Sequence, residues 1–194
     1  MIRVSNYHIN EQDIISSGKI ATLYKATKLF PLEPNHSASY SSLPQDEYFV
    51  IKRVDTKYLP SCITEISTLQ KLSTHYDKFN EIVDSFSTPN HIYLVYRYYN
   101  QKSLDEFIHK DEESSLDLVL DYMGQIIEAF KILKTLGIIH RDIRPNNIVI
   151  NNDSLKITGF YSAIHENGQE TSPFLLASPL CMSPELLTSF IIFS

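Results

Sequence analysis

Eight consecutive residues, His140-Arg141-Asp142-Ile143-Arg144-Pro145-Asn146-Asn147, bring together an imidazole, two guanidinium groups, a carboxylate and two carboxamides. Asp142 supplies a carboxylate, which accepts a proton from any hydroxyl held within hydrogen-bond reach. Asn147, five residues on, supplies a neutral amide oxygen of the kind hard cations take as a ligand. Arg144 lies between them and carries a permanent charge on a planar fork, a shape that meets an anion differently from the point charge of a lysine. A carboxylate, a neutral amide and a permanent positive charge thus share one short loop.

Such a loop needs a frame on both sides. Ahead of it, from about Ser115 to Leu136, apolar residues recur in steps of three and four: Leu116, Val119, Leu120, Met123, Ile126, Ile127, Phe130, Leu133 and Leu136. That is the pattern of an amphipathic helix, and Gly137 supplies its stop. Behind the loop, Ile148 to Asn151 and Leu155 to Thr158 read as strands around the turn pair Asn152-Asp153. Further upstream, Tyr7 to Ile15 and Ile20 to Thr27 read as a hairpin closed by Ser16-Ser17-Gly18-Lys19, and Tyr48 to Val54 as the next strand. Residues 28–47 are rich in Pro, Ser and Asn without a hydrophobic period and read as a loop insertion. Cys62 to Ser73 carries an every-third-residue stripe, Ile63, Ile66, Leu69 and Leu72, which predicts a short helix with Glu65 beside the stripe. Glu81 to Phe86 and His91 to Tyr98 form strands about Pro89-Asn90, and Ser103-Leu104-Asp105-Glu106 opens a helix with a capping box. A strand-rich half with one helix followed by a helical half predicts an α+β molecule of two lobes, residues 1–99 and 100–194.

Composition narrows the function classes. The 194 residues suffice for one domain or two small lobes, and 43% apolar content supports a real core. A net charge of −6 argues against non-specific nucleic-acid binding, which needs a basic face. Cys62 and Cys181 lie far apart without metal-ligand spacing and read as reduced thiols. No apolar run reaches the ~18 residues of a membrane span, and the polar stretch Met1 to Glu11 is unlike a secretory leader. The expectation is a soluble intracellular protein, cytoplasmic or nuclear, with neither a membrane nor a nucleic acid as partner.

The loop resembles the catalytic loop of protein kinases, H-R-D-L-x-x-x-N. The resemblance implies that Asp142 accepts the proton of a substrate hydroxyl, that Asn147 faces a metal ion on the nucleotide, and that Arg144 replaces the usual Lys near the transferred phosphate. It implies a packing role for His140 against Phe160. The likeness extends along most of the chain. Ile15 to Ala26 is similar to the glycine-rich loop, whose three glycines fall at Ser16, Gly18 and Ala21, so Gly18 alone is kept. Val50-Ile51-Lys52 resembles the strand whose Lys contacts the α- and β-phosphates of ATP, and Glu65, thirteen residues later, stands where an ion-pair partner of that Lys belongs. Leu94 to Tyr98 resembles the hinge strand, with Tyr96 narrowing the adenine pocket. Ser183-Pro184-Glu185 is similar to the end of the activation segment, and Thr171, Ser172 and Ser178 ahead of it are candidate phosphosites weighed against ordinary turn residues.

Two departures qualify the activity that this resemblance implies. Protein kinases hold Mg²⁺ with the Asp of Asp-Phe-Gly, and here that stretch is Gly159-Phe160-Tyr161. The sequence given also ends nine residues after Glu185, ahead of the helices that complete the family's C-terminal lobe. The expectation is therefore a serine/threonine-type kinase domain with an incomplete second lobe, weak ATP binding, doubtful Mg²⁺ binding and impaired phosphotransfer. It would have a protein substrate or partner, and self-association through the apolar face of the 115–136 helix is a further expectation. Two alternatives stay open: a slow but active kinase using Asn147 and Glu166 for the metal, and an inert fragment.

Overall fold

The computed structural model describes residues 2–28, 48–99, 102–109, 115–166 and Pro184. The 28–47 insertion beyond Lys28, Cys181, the three candidate phosphosites, and Ser183 and Glu185 lie outside the described residues. The chain divides into two compact units, Met1–Leu59 with Ile82–Tyr98, and Pro60–Glu81 with Tyr99–Ser194.

The first unit is one antiparallel sheet. Its strands are β1 (Ile2–Val4), β2 (Tyr7–Ser17), β3 (Ala21–Lys28), β4 (Tyr48–Asp55), β5 (Ile82–Ser87) and β6 (His91–Arg97), in the order β1-β2-β3-β4-β6-β5. Alternation explains its core. Tyr7 and Ile9, Tyr24 and Ala26, Phe49 and Ile51, and Tyr93 and Val95 are pairs two residues apart on four neighbouring strands. The register places Ile9 against Ala26, Tyr24 against Ile51 and Ile51 against Val95, so the pairs align into one apolar face. Tyr7 meets Phe49 edge-on at 5.4 Å, and Phe86 stacks on Tyr93 at 5.1 Å. Lys52 falls out of phase with Phe49 and Ile51, between Leu23 and Leu94, and thus belongs to the other face. Strand β1 is absent from the sequence reading, because three residues turned back through Ser5 (φ 54°) leave no measurable period.

The second unit begins in α1 (Leu59–Lys71). Its apolar stripe is corrected by the structure. Leu69 and Leu72 are buried, whereas Ile63 is 51% exposed. A helix turns about 100° per residue, so three residues fall about 60° short of a turn and a strict three-residue stripe drifts right round the helix. The buried residues are instead Ser61, Cys62, Thr64, Glu65, Thr68 and Leu69.

After α2 (Leu104–Ile108), capped by Ser103 as its sequence predicts, comes α3 (Leu116–Thr135). Ser115 accepts from the Leu118 amide at 3.2 Å, which starts α3. Gly137 takes the left-handed conformation (φ 62°) that ends it. One face of α3, with Leu118, Tyr122 and Ile126, packs with Leu104, Phe107, Ile148, Ile150 and Leu155. Leu116, Val119, Leu120, Met123 and Ile127 on the remainder are exposed.

Two short strands then bracket the reactive loop, β7 (Ile138–Ile139) before it and β8 (Ile148–Asn151) after it. Strand β8 pairs with β9 (Ser154–Ile157), and β7 with β10 (Ile164–His165). The β8–β9 turn is Asn152-Asp153, both at positive φ, the conformation Asn and Asp tolerate best. Gln125 ties this hairpin to α3, accepting from the Leu155 amide at 2.7 Å and donating to the Asp153 carbonyl at 2.9 Å. Among the described residues, no helix is long and apolar enough to cross a membrane.

Candidate active site

The loop from His140 to Asn147 is held by its own polar groups. Arg141 occupies the left-handed region (φ 65°), which reverses the chain after β7. Pro145 opens a single 3₁₀ turn ending at Asn147, whose amide donates to the Arg144 carbonyl at 2.9 Å. The Asn147 carbonyl accepts from the Thr158 amide at 2.9 Å, which fastens the loop to the segment after β9.

His140 packs as the resemblance implies. Its ring lies 4.5 Å from Phe160, and Phe160 in turn meets Phe79 at 5.9 Å. The Asp142 amide donates to Nδ1 at 3.2 Å, so Nε2 carries the proton and donates to the Thr158 carbonyl at 2.8 Å. Burial lowers the His140 pKa below its ordinary value. It outweighs the Thr158 carbonyl, Asp142 and Glu65, which act in the opposite direction. The imidazole is therefore a neutral structural bridge.

That depression fixes the sign of a pH dependence. The unfolded chain binds a proton near pH 6.5, and the folded chain only at lower pH. Stability is then complete above the unfolded value and declines as pH falls below it, until the folded value is reached. His165, lowered by burial and then by Lys71, contributes with the same sign. Urea unfolding at pH 7.5 and pH 5 is expected to give the lower midpoint at pH 5, with a smaller difference in His140→Gln. Equal midpoints for the unmodified chain would contradict the neutral bridge.

Asp142 is 1% exposed and its carboxylate is fully buried. A buried charge needs donors, and three side chains converge on Oδ2. Asn147 Nδ2 donates to it at 2.7 Å and to the Asp142 carbonyl at 2.8 Å. Arg144 Nε lies 3.5 Å away. Tyr161 donates its hydroxyl to the same oxygen. Burial first, then the bond to Asp142 and its charge, push the Tyr161 phenol far above the usual tyrosine range. Asp142, Arg144 and Asn147 are thus brought together as one cluster. Tyr161 joins it, a contact absent from the sequence reading.

Gly159 sits beside this cluster in the left-handed conformation (φ 80°, ψ 43°). A Cβ placed on it would stand 2.8 Å from both Cγ and Oδ1 of Asn147. The Asn147 carboxamide therefore fills the room in which a longer side chain at 159 would begin. Glu166, the other metal ligand considered, has its carboxylate beside Gly137, with Oε2 3.3 Å from where a Cβ there would lie.

The remaining candidate residues are spread over both units. Lys52 is buried in the middle of β4 in the first unit, and Glu65 is buried on α1 in the second. Gly18 closes the β2–β3 turn, its amide donating to the Ala21 carbonyl at 2.9 Å. That amide is spent within the hairpin.

Known proteins resemble this chain over most of its length. The protein kinase domain family matches residues 38–190. The chain is 26% identical to the serine/threonine-protein kinase ULK1 of Homo sapiens over 96% of its own length and 18% of that protein's. It is 26% identical to the serine/threonine-protein kinase atg1 of Dictyostelium discoideum, over 96% of the chain and 28% of the relative. It is 33% identical to the serine/threonine-protein kinase prpf4B of the same organism, over 78% of the chain and 20% of the relative. The chain thus spans well under half the length of these curated relatives.

Proposed function

The chain belongs to the protein kinase domain family, in its serine/threonine type with an α+β kinase fold, and from that premise we propose that it binds ATP while transferring its γ-phosphate at no more than a background rate. In this reading Lys52 meets the α- and β-phosphates, Glu65 stands where the family keeps the acid that serves that Lys, and Gly18 lets the β2–β3 turn approach the nucleotide. Asp142 stands where the acceptor hydroxyl loses its proton, with Arg144 as the neighbouring charge. Bound ATP would supply the phosphoryl group. A buried ammonium at Lys52 suits a polyphosphate in charge, although the spent Gly18 amide leaves less backbone for the purpose.

Position 159 carries the reading. Kinases hold Mg²⁺ there with a carboxylate, and here glycine stands with Asn147 filling the space beside it. These residues do not fit Mg²⁺, so no step is assigned to it.

Incubation of the purified chain with ATP, Mg²⁺ and a general protein acceptor such as myelin basic protein tests the proposal. Labelling is expected at background, equal in the unmodified chain and in Asp142→Asn. Clear labelling that Asp142→Asn abolishes would overturn it in favour of a slow, active kinase.

A further inference from the structure

The hydrogen bond from Tyr161 places a hydroxyl on Oδ2 of Asp142, one oxygen of the carboxylate that a substrate hydroxyl would use. We infer that Tyr161 is a built-in gate on the loop: its phenol occupies Oδ2 of Asp142, and no acceptor hydroxyl reaches that oxygen until the 160–162 turn moves. The inference deepens the proposed function and rests on reading Asp142 as the proton acceptor.

Three observations carry it. The first is saturation. A carboxylate oxygen offers about two lone-pair sites, and Oδ2 already takes hydrogen bonds from Asn147 Nδ2 and from Tyr161 Oη. The second is closure, since the Asp142 carboxylate has no exposed surface. The third is the hold on the gate. Tyr161 is the middle residue of a single 3₁₀ turn, Phe160 to Ser162. Phe160 is fully buried against His140 and Phe79, and the Ser162 carbonyl accepts from Arg141 Nε at 2.5 Å. Both neighbours of Tyr161 are pinned, which aims the phenol at Asp142.

A positioning role is the rival account. It fares worse because Asn147 already fixes Asp142 at two points, the carbonyl and Oδ2. A hydroxyl on a charged oxygen adds a strong bond that an incoming group must first break. It also leaves that oxygen no free lone pair.

Carbodiimide labelling of carboxylates in the whole chain, read residue by residue by mass spectrometry, tests the gate without relying on catalysis. Asp142 is expected to be protected in the unmodified chain. It should be labelled at least about ten-fold faster in Tyr161→Phe, which loses only the hydroxyl, and faster still in Tyr161→Ala. Ten-fold corresponds to the low end of a hydrogen bond to a charged group. Glu65, which is 3% exposed, serves as the internal control and should stay protected wherever the fold is intact. If Glu65 becomes labelled in Tyr161→Ala, that variant has opened as a whole and Tyr161→Phe alone decides. Equal labelling of Asp142 in the unmodified chain and Tyr161→Phe would overturn the gate. Phosphotransfer by the same proteins separates this from the underlying reading. Transfer above background that persists unchanged in Asp142→Asn would refute the role of Asp142 and leave the labelling result standing. Transfer above background in the unmodified chain that is lost in Tyr161→Phe would identify Tyr161 as a positioning residue instead.

Discussion

Replacing Gly159 by Asp, which writes the missing carboxylate back into the chain, is expected to destabilise the protein and leave phosphotransfer at background. The backbone at 159 is left-handed (φ 80°), which costs a residue with a Cβ roughly 1 kcal/mol, toward the low end for Asp. The new Cβ would meet Asn147 Cγ and Oδ1 at 2.8 Å and Nδ2 at 3.0 Å, too close for any real contact. Asn147 cannot simply give way. Its Nδ2 is committed to the carbonyl and carboxylate of Asp142, its amide to Arg144 and its carbonyl to Thr158. Displacing the carboxamide forfeits a hydrogen bond to a buried charge, worth about 1.5–3 kcal/mol. Together these give about 3 kcal/mol, or a melting temperature lower by roughly 6–12 °C for a chain of this size. Transfer stays low because Tyr161 remains on Asp142. A melting curve within a degree or two of the unmodified chain would show that the site accepts the carboxylate. Substrate labelling by Gly159→Asp would show that the missing carboxylate alone had silenced it.

The sequence disclosed the parts of this molecule whose signals are local. Ser115 and Gly137 mark both ends of α3 because capping chemistry acts within one turn. Asn152-Asp153 marks the β8–β9 turn because few residues accept two consecutive positive φ angles. The reactive loop is legible because its chemistry is written in eight adjacent residues. Strands β7 and β10, two residues each, were not legible, since a period of two needs more than one repeat to be seen. The buried side of α1 was misread because a three-residue stripe mimics a helical one over a short stretch. The bond from Tyr161 to Asp142 joins residues nineteen apart. Only the β8–β9 hairpin and the turn after it bring them together, and no local pattern encodes that meeting. What could have pointed to it was the bulk of a phenol where the family keeps glycine, two residues past a position whose charge is missing.

The account rests most heavily on a nucleotide site without a metal carboxylate, and Mg²⁺ dependence tests that directly. Gly159 offers no charge to a cation, and the nearest oxygen beside it, Oδ1 of Asn147, is neutral. ATP would then be held by Lys52 and backbone groups, which have no need of the ion. A ligand stabilises a fold in proportion to the logarithm of its occupancy, so thermal unfolding in ATP reads affinity without any catalytic step. With ATP, and then with ATP and Mg²⁺, the melting temperature is expected to rise by the same amount. The affinities derived from the two titrations should agree within about three-fold, less than 1 kcal/mol. A gain of ten-fold or more on adding Mg²⁺ would contradict the account, because a metal ion would then be held without a carboxylate at position 159.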